Sequence, residues 1–275
     1  MRAFAELFFN NYVFIHTHIE KCGGSSLLRH LTILMGSDHV LDLRSLPPLP
    51  ADTILKQNPT TKKNLPQVRL LSGHFWYNSG WEKAFIRSKK INSFFSLQSL
   101  INSRKNPLYI ASVRHPTDRM ISFFRYLQAD PNHIEYNDHV RNNNFDAFIL
   151  SLTEKNHPKV KNGMCRQLTN DGKPFNLFNK AKKACDDNYL AVVPYNKTHE
   201  LANIIANFLE LPPVSNQIVN PSINVEKIIP SERTLALLEE NCNDDIQLYE
   251  YILETYPSKL MKAKAHLEAI FKKYI

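Results

Sequence analysis

Residues 12–31, YVFIHTHIEKCGGSSLLRHL, pass from a short apolar run through a Gly/Ser loop with one lysine into an amphipathic segment. Tyr12, Val13, Phe14 and Ile15 are β-branched or aromatic, the composition of a buried parallel strand. Gly23 and Gly24 tolerate backbone conformations that other residues resist, and they permit a close approach to the main chain. Ser25 or Ser26 is suited to cap a helix that continues through Leu27, Leu28 and Leu31. Strand, glycine loop and helix N-terminus in that order build an anion site, because free N–H groups and the positive end of the helix dipole converge there. Lys21 adds a full charge. The loop is not the triphosphate motif G-x-x-x-x-G-K-[ST], since its lysine precedes the glycines. Taken alone, it also fits an ordinary strand-to-helix turn.

Residues 109–126, YIASVRHPTDRMISFFRY, repeat the strand-to-helix pattern. The strand is predicted over 109–113, and Pro116 suits the first turn of a helix that runs through Met120, Ile121, Phe124 and Leu127. Arg114 falls at the end of the strand and Ser122 in the first turns of the helix. Both are placed to face the crevice where open α/β sheets bind ligands. A guanidinium there grips a phosphate through two parallel hydrogen bonds. A surface salt bridge is the plainer role for a lone arginine.

Together the two stretches resemble the carbohydrate sulfotransferases of the heparan-sulfate 2-O/6-O type. HIEKCGGSSLL at 18–28 is similar to that family's 5′-phosphosulfate loop, usually Pro-Lys-Thr-Gly-Gly-Thr-Ser. VRHPTDRMISFFRY at 113–126 is similar to its 3′-phosphate motif, Arg-Asp-Pro-x-x-Arg-x-x-Ser-x-Tyr/Phe. Shorter matches are SGHF at 72–75, NGMCRQL at 162–168, a block at 181–211 and DDIQLYEY at 244–251. The chain departs from the pattern at Glu20, Cys22 and His115, where the family has proline, threonine and an acid. The resemblance implies a P-loop-like sulfotransferase fold: α/β, a central parallel sheet flanked by helices, and a helical C-terminus. It implies a single catalytic domain over residues 1–275. It also implies 3′-phosphoadenosine 5′-phosphosulfate as donor and adenosine 3′,5′-bisphosphate as product, while the cysteines, with no C-x-x-C or zinc spacing, predict no metal. Carried over position by position, His18, Lys21, Cys22, Gly23, Gly24, Ser25 and Ser26 hold the 5′ end, and Arg114 and Ser122 hold the 3′-phosphate.

Sulfuryl transfer resembles phosphoryl transfer in passing through a loose, in-line transition state, so positioning and charge stabilisation carry the catalysis. Lys21 and the loop N–H groups suit the charge that builds on the leaving phosphate oxygen. The acceptor hydroxyl needs a base of near-neutral pKa, which a histidine supplies. Of eleven histidines, His74 is the choice. It follows a predicted strand and Gly73, and it resembles the Gly-His step of the family's catalytic segment. Ser72 stands where the 2-O enzymes have a second histidine, so the one-histidine arrangement of 6-O-like members fits better. A structural, hydrogen-bonded histidine is the plainer alternative. His16 and His18 are read as facing opposite sides of the strand, one buried and one at the donor. Arg119 is read as bracing its motif through buried hydrogen bonds. Trp76, Tyr77, Trp81 and Arg166 suggest an acceptor surface, with core packing the alternative for the aromatics. Asn162 and Arg166 are read as a site edge.

The composition sets bounds. A chain of 275 residues, 43% hydrophobic, supports one substantial core. Lys plus Arg exceed Asp plus Glu by 34 to 26, a net +8, which favours anionic partners. The excess is scattered, so a nucleic-acid stripe is not expected. A saccharide or glycoconjugate, acidic or neutral, is the expected acceptor, with peripheral membrane contact if it is lipid-linked. The four cysteines, Cys22, Cys165, Cys185 and Cys242, show no zinc spacing and suggest a reducing compartment. No apolar run approaches the length of a membrane span, and MRAFAELFFNN is a poor secretory signal. The expected setting is the cytoplasm of a bacterial-type cell, or the Golgi lumen for a trimmed catalytic domain. Two other functions fit the same composition. A nucleoside-phosphate kinase needs an acidic Mg²⁺ ligand at a strand end, and none is evident. A non-catalytic basic binding module would show steep salt dependence and no nucleotide dependence.

Along the chain, 37–66 reads as a long connection with a short helix at 51–57, and 88–106 as a mobile insertion. A strand is predicted over 68–72, a surface loop over 130–145 and a short helix over 145–153. A last core strand at 189–193 leads into a helix at 198–209. Residues 231–274 read as helical, with Tyr256-Pro257 dividing the final two helices.

Overall fold

The computed structural model describes residues 2–44, 67–74, 105–169, 175–215 and 227–273. The predicted helix at 51–57, most of the 88–106 insertion, and Trp76, Tyr77 and Trp81 lie outside the described residues. Five strands form one sheet: β1 (Tyr12–Thr17), β2 (Val40–Asp42), β3 (Leu70–Gly73), β4 (Asn106–Val113) and β5 (Tyr189–Pro194). Every pairing is parallel, in the order β2-β3-β1-β4-β5. The fold is therefore α/β with an all-parallel central sheet and a helical C-terminus. β1 occupies the centre, and the chain passes to the edge strand β2, returns to β3 between them, and then crosses to β4 and β5 on the other side. That reversal opens a crevice at the C-terminal ends of the strands.

The helices are α1 (Arg2–Asn11), α2 (Gly24–Met35), α3 (Pro116–Ala129), α4 (Asp138–Arg141) and α5 (Phe145–Glu154). There follow α6 (Gly163–Thr169), α7 (Leu177–Asp187), α8 (Thr198–Phe208), α9 (Glu232–Asn241) and α10 (Asn243–Phe271). Strand residues alternate between the two faces. Val13, Ile15, Leu71, Ala111 and Val192 pack with α6, α7 and the first half of α10. Phe14, Leu70, Ile110, Ala191 and Val193 pack with α1, α2, α8 and the second half of α10. Leu27 and Leu31 of α2 are fully buried, each contributing about 1.5–3 kcal/mol relative to exposure. These contacts hold the start of α2 fixed above the end of β1. A separate cluster from α3, α5 and α9, built on Phe123, Phe124, Phe148 and Leu238, forms a helical side-piece.

Several expectations are corrected. The 37–66 connection contains β2, an edge strand that pairs with β3 from Val40–Leu70 to Asp42–Ser72. The predicted 130–145 loop contains the short α4, capped by the Asn137 side chain. The division of the C-terminal helices falls at Cys242, and α10 runs through Pro257. Proline removes one hydrogen bond, to the carbonyl four residues back. Here that residue is Leu253, 47% exposed, on the solvent side of the helix. Meanwhile Ile252, Leu260, Ala263 and Leu267 keep the opposite side of the helix buried. The helix continues because it wraps the β5 edge, its two halves packing on opposite faces of the sheet.

Candidate active site

All five strand ends contribute to one edge of the sheet. The 18–23 loop follows β1, Arg44 follows β2, His74 follows β3, Arg114 follows β4 and Tyr195 follows β5. The glycine turn enters α2 with Gly23 as N-cap, at φ 77 and without a side-chain cap bond. Ser25 and Ser26 lie inside the first turn, so neither fills the predicted capping role. The Ser26 and Leu27 N–H groups donate to the Gly23 carbonyl at 3.1 and 3.2 Å. Among the described residues, the Gly24 and Ser25 N–H groups have no backbone acceptor, the usual condition of a helix start and a ready anion site.

The two glycines serve protein neighbours first. A Cβ on Gly23 would stand 2.9 Å from Tyr195 Cβ, and one on Gly24 would stand 2.0 Å from the His18 ring. Both distances are sterically prohibited. The turn is thus clamped between Tyr195 and His18, with its N–H groups left over.

Lys21 takes the left-handed conformation at φ 62, which costs a side-chain-bearing residue about 1–2 kcal/mol. Its ammonium lies 4.2 Å from the centroid of the Tyr126 ring on α3. Burial lowers its pKa, Glu20 opposes that and the nearby Arg114 charge adds to it. Arg114 sets its guanidinium 4.4 Å from the Tyr195 ring centroid, and its Nε is buried without a hydrogen-bond partner. Tyr195 therefore touches both predicted motifs, the glycine turn on one side and Arg114 on the other. Ser122 is half-buried in the second turn of α3.

His16, His18 and His74 form a stacked column. Ring centroids are 5.2 Å apart for His16–His18 and 4.7 Å for His18–His74. The expectation that His16 and His18 face opposite ways is wrong, because residues two apart along an extended chain share a face. Burial, with the Arg44 and His74 charges, brings the His16 pKa down to about 3. Burial depresses His18 still further. His16 Nδ1 meets Ser72 Oγ at 2.9 Å, while His16 Nε2 and His18 Nδ1 are buried without partners. His74 Nδ1 lies 3.0 Å from the His18 carbonyl. A carbonyl only accepts, so Nδ1 carries the proton and Nε2 carries the lone pair. Gln167 on α6 donates to the same carbonyl at 3.1 Å. Burial lowers the His74 pKa, Glu20 and the carbonyl bond oppose, and Arg44 and Lys159 assist the lowering.

Arg44 is a site cation that sequence reasoning missed. Asp42 holds its guanidinium through bonds of 2.8–3.1 Å, and its Nη1 donates to Ser25 Oγ at 3.0 Å. Tyr195 was missed as well. The signal available for both was position, since each follows a strand end directly or by two residues. Glu20, which replaces a proline in the resemblance, is bridged by Lys159 at 3.2 Å, and Lys159 also holds Glu135 at 2.9 Å. The acid beside the anion site thus shares one lysine with Glu135.

Behind the turn the structure is saturated. Arg119 donates to the Glu20 carbonyl at 3.1 Å and the Lys159 carbonyl at 3.3 Å, and it stands 3.8 Å from the buried Asp245 carboxylate. Asp245 accepts from the Met164 and Cys165 N–H groups at 3.0 and 2.8 Å, capping α6. Asn162 accepts from the Asp245 N–H and donates to Asp244, which makes it scaffold where a site edge was expected. Arg166 is half-buried on α6. Cys22 also departs from expectation. Its thiol donates to the Met164 sulfur at 3.6 Å, its N–H donates to Ile19, and burial raises its pKa to about 12. Both of its polar groups are committed inward, because the side chain belongs to the core cluster.

All four cysteines are buried free thiols. Among the described residues, no three His, Cys, Asp or Glu side chains are grouped to hold a metal ion. No helix among them is long and apolar enough to cross a membrane. A search of curated proteins finds no match. Over residues 7–252, however, which take in the glycine turn, both ends of the crevice and the Asp245 scaffold, the chain matches the Sulfotransferase family. The molecule belongs to that family, and sulfuryl transfer is its chemistry.

Proposed function

We propose that the protein transfers a sulfuryl group from 3′-phosphoadenosine 5′-phosphosulfate to a hydroxyl of a carbohydrate or glycoconjugate. The observation that carries this reading is a pair of anion sites joined by Tyr195. One is the glycine turn with its unbonded N–H groups and Lys21. The other is the orphaned Nε of Arg114. A donor with a phosphosulfate at its 5′ end and a phosphate at its 3′ end satisfies both. Ser25 and Ser26 stand with the turn, and Ser122 with Arg114.

The donor supplies a sulfonate already attached to a phosphate leaving group. Lys21 and the N–H groups of Gly24 and Ser25 counter the charge that grows on the leaving oxygen as its bond to sulfur breaks. His74 Nε2 takes the acceptor's hydroxyl proton as the new oxygen–sulfur bond forms. Its depressed pKa keeps the ring neutral at physiological pH. The net +8 of the chain favours an acidic acceptor, and Arg166, Trp76 and Tyr77 are the candidates to hold it.

The test is transfer itself. The protein is incubated with the donor and a panel of neutral and acidic oligosaccharides, and sulfated product and adenosine 3′,5′-bisphosphate are measured by mass spectrometry. The expected result is acceptor-dependent formation of both, lost in Lys21→Ala and His74→Ala. Thermal stabilisation by ATP–Mg²⁺ in place of adenosine 3′,5′-bisphosphate, with no transfer, contradicts the proposal.

A further inference from the structure

The guanidinium of Arg114, at the end of β4, has its Nε buried with no hydrogen-bond partner among the described residues. A buried charged donor in that condition is expensive, and a flexible arginine would ordinarily swing toward a carboxylate or to water. What holds it in place is an aromatic face: the guanidinium carbon sits 4.4 Å from the Tyr195 ring centroid, well inside the range of a cation–π contact. The same residue is pressed on the glycine turn. Its Cβ, carbonyl oxygen and Cα would lie 2.9, 3.1 and 3.3 Å from a Cβ on Gly23. Tyr195 itself is fixed from behind. It follows β5 directly at Pro194, and the short turn Tyr195–Lys197 leads straight into α8, which is packed on the sheet. Tyr249 and His115 close the surroundings, with Tyr249 5.6 Å edge-on to the His115 ring and near enough to Tyr195 and Arg114 to feel both.

From this geometry, and resting on the donor assignment above, we infer that Tyr195 is a positioning residue for selection of the 3′-phosphate. Its ring face orients Arg114, and its main chain fixes the distance from that guanidinium to the glycine turn. The two ends of the nucleotide site are thus set by one residue. Recognition of a nucleotide carrying phosphates at both the 3′ and 5′ positions depends on the aromatic face of residue 195. The hydroxyl of Tyr195 has no part in this.

The experiment compares affinities for adenosine 3′,5′-bisphosphate and adenosine 5′-monophosphate by calorimetry, in the wild-type chain, Tyr195→Phe, Tyr195→Leu and Arg114→Ala. Leucine keeps the Cβ that walls Gly23 and removes only the face; phenylalanine keeps both. The expected result is that Tyr195→Leu reduces the preference for the bisphosphate about tenfold, with the monophosphate affinity unchanged. Tyr195→Phe retains the preference. Tyr195→Leu adds little to the loss in an Arg114→Ala background, as two residues acting through one contact require. Full discrimination in Tyr195→Leu overturns the inference, and so does an equal loss for both nucleotides. If the wild-type chain itself shows no preference, the donor assignment is what fails, which the leucine variant alone cannot mimic. Thermal unfolding of each variant separates a misfolded chain from a repositioned arginine, and if the leucine variant unfolds, Tyr195→Met, which also keeps the Cβ and lacks the aromatic face, takes its place with the same expected loss of preference.

Discussion

Arg114 and Arg119 lie five residues apart in one motif, yet the regions they occupy follow opposite rules. On the crevice side, polar groups are left unsatisfied: Arg114 Nε, His18 Nδ1 and His16 Nε2 are buried without partners. Behind the turn, the neighbourhood of Arg119 is saturated by two carbonyls, the Asp245 carboxylate and the capped start of α6. Buried polar groups are normally paired, so the contrast separates a surface shaped for a ligand from the scaffold that holds it. The difference lies in wiring, because both regions contain an arginine and a neighbouring helix start.

Substitutions on the two sides should then fail in different ways. On the crevice side, His74→Ala is expected to lower the transfer rate about 10²–10⁴-fold, with adenosine 3′,5′-bisphosphate binding unchanged and stability lowered by only about 1 kcal/mol for the lost bond to the His18 carbonyl. Steady-state rates set against calorimetric affinity check this, and an active His74→Ala removes the base assignment. On the scaffold side, Asp245→Ala leaves two α6 N–H groups uncapped and the Arg119 charge unpaired. It is expected to cost about 3–5 kcal/mol of stability, read from urea unfolding. A stable but inactive Asp245→Ala chain would erase the distinction between the two sides.

A pH series sharpens the comparison at lower amplitude. The ordinary histidine value is 6.5 and folded His16 stands at about 3, so the unfolded chain takes up the proton first. The stabilising contribution is complete above pH 6.5 and is lost as the pH falls from 6.5 toward 3, at about 1.4 kcal/mol per pH unit. His18 acts in the same direction. Urea midpoints at about pH 7.5 and about pH 5 should show the fall, and a flat profile contradicts a buried, neutral column. The smallest effect is expected at Ser25→Ala, which removes the acceptor of one Arg44 hydrogen bond. It should change stability by about 1 kcal/mol and modestly weaken donor binding.

Much of the fold was legible in local sequence. Phe14 and Ile15, the glycine turn, Pro116 and the apolar spacing of α2 and α3 carry period and turn signals that act over a few residues. The two motifs could be placed at strand ends for the same reason. What could not be read were contacts made across the sheet. Nothing near Gly23 announces Tyr195, which arrives from β5. Nothing near Ser25 announces Arg44, which arrives on a three-residue edge strand too short for periodicity to reveal. Cys22 reads as a cofactor contact because it stands where the family's loop has threonine, and the packing of Met164 turns it inward. The shorter NGMCRQL and DDIQLYEY matches prove to meet through Asp245, a buried contact with a sequence separation of about eighty residues. Pro257 misled because the packing of both halves of α10 on the sheet outweighs the roughly 3 kcal/mol that a proline costs inside a helix.

The account stands on one nucleotide being gripped at both ends, and calorimetry with adenosine 3′,5′-bisphosphate against adenosine 5′-monophosphate measures that directly. The wild-type chain should favour the bisphosphate about 10–100-fold, the worth of hydrogen bonds to a charged group. Arg114→Ala should lose most of that preference, and Arg114→Ala with Ser122→Ala should bind the two nucleotides equally, while both keep their affinity for the monophosphate. Equal affinities in the wild-type chain, or a preference undiminished by Arg114→Ala, would contradict it.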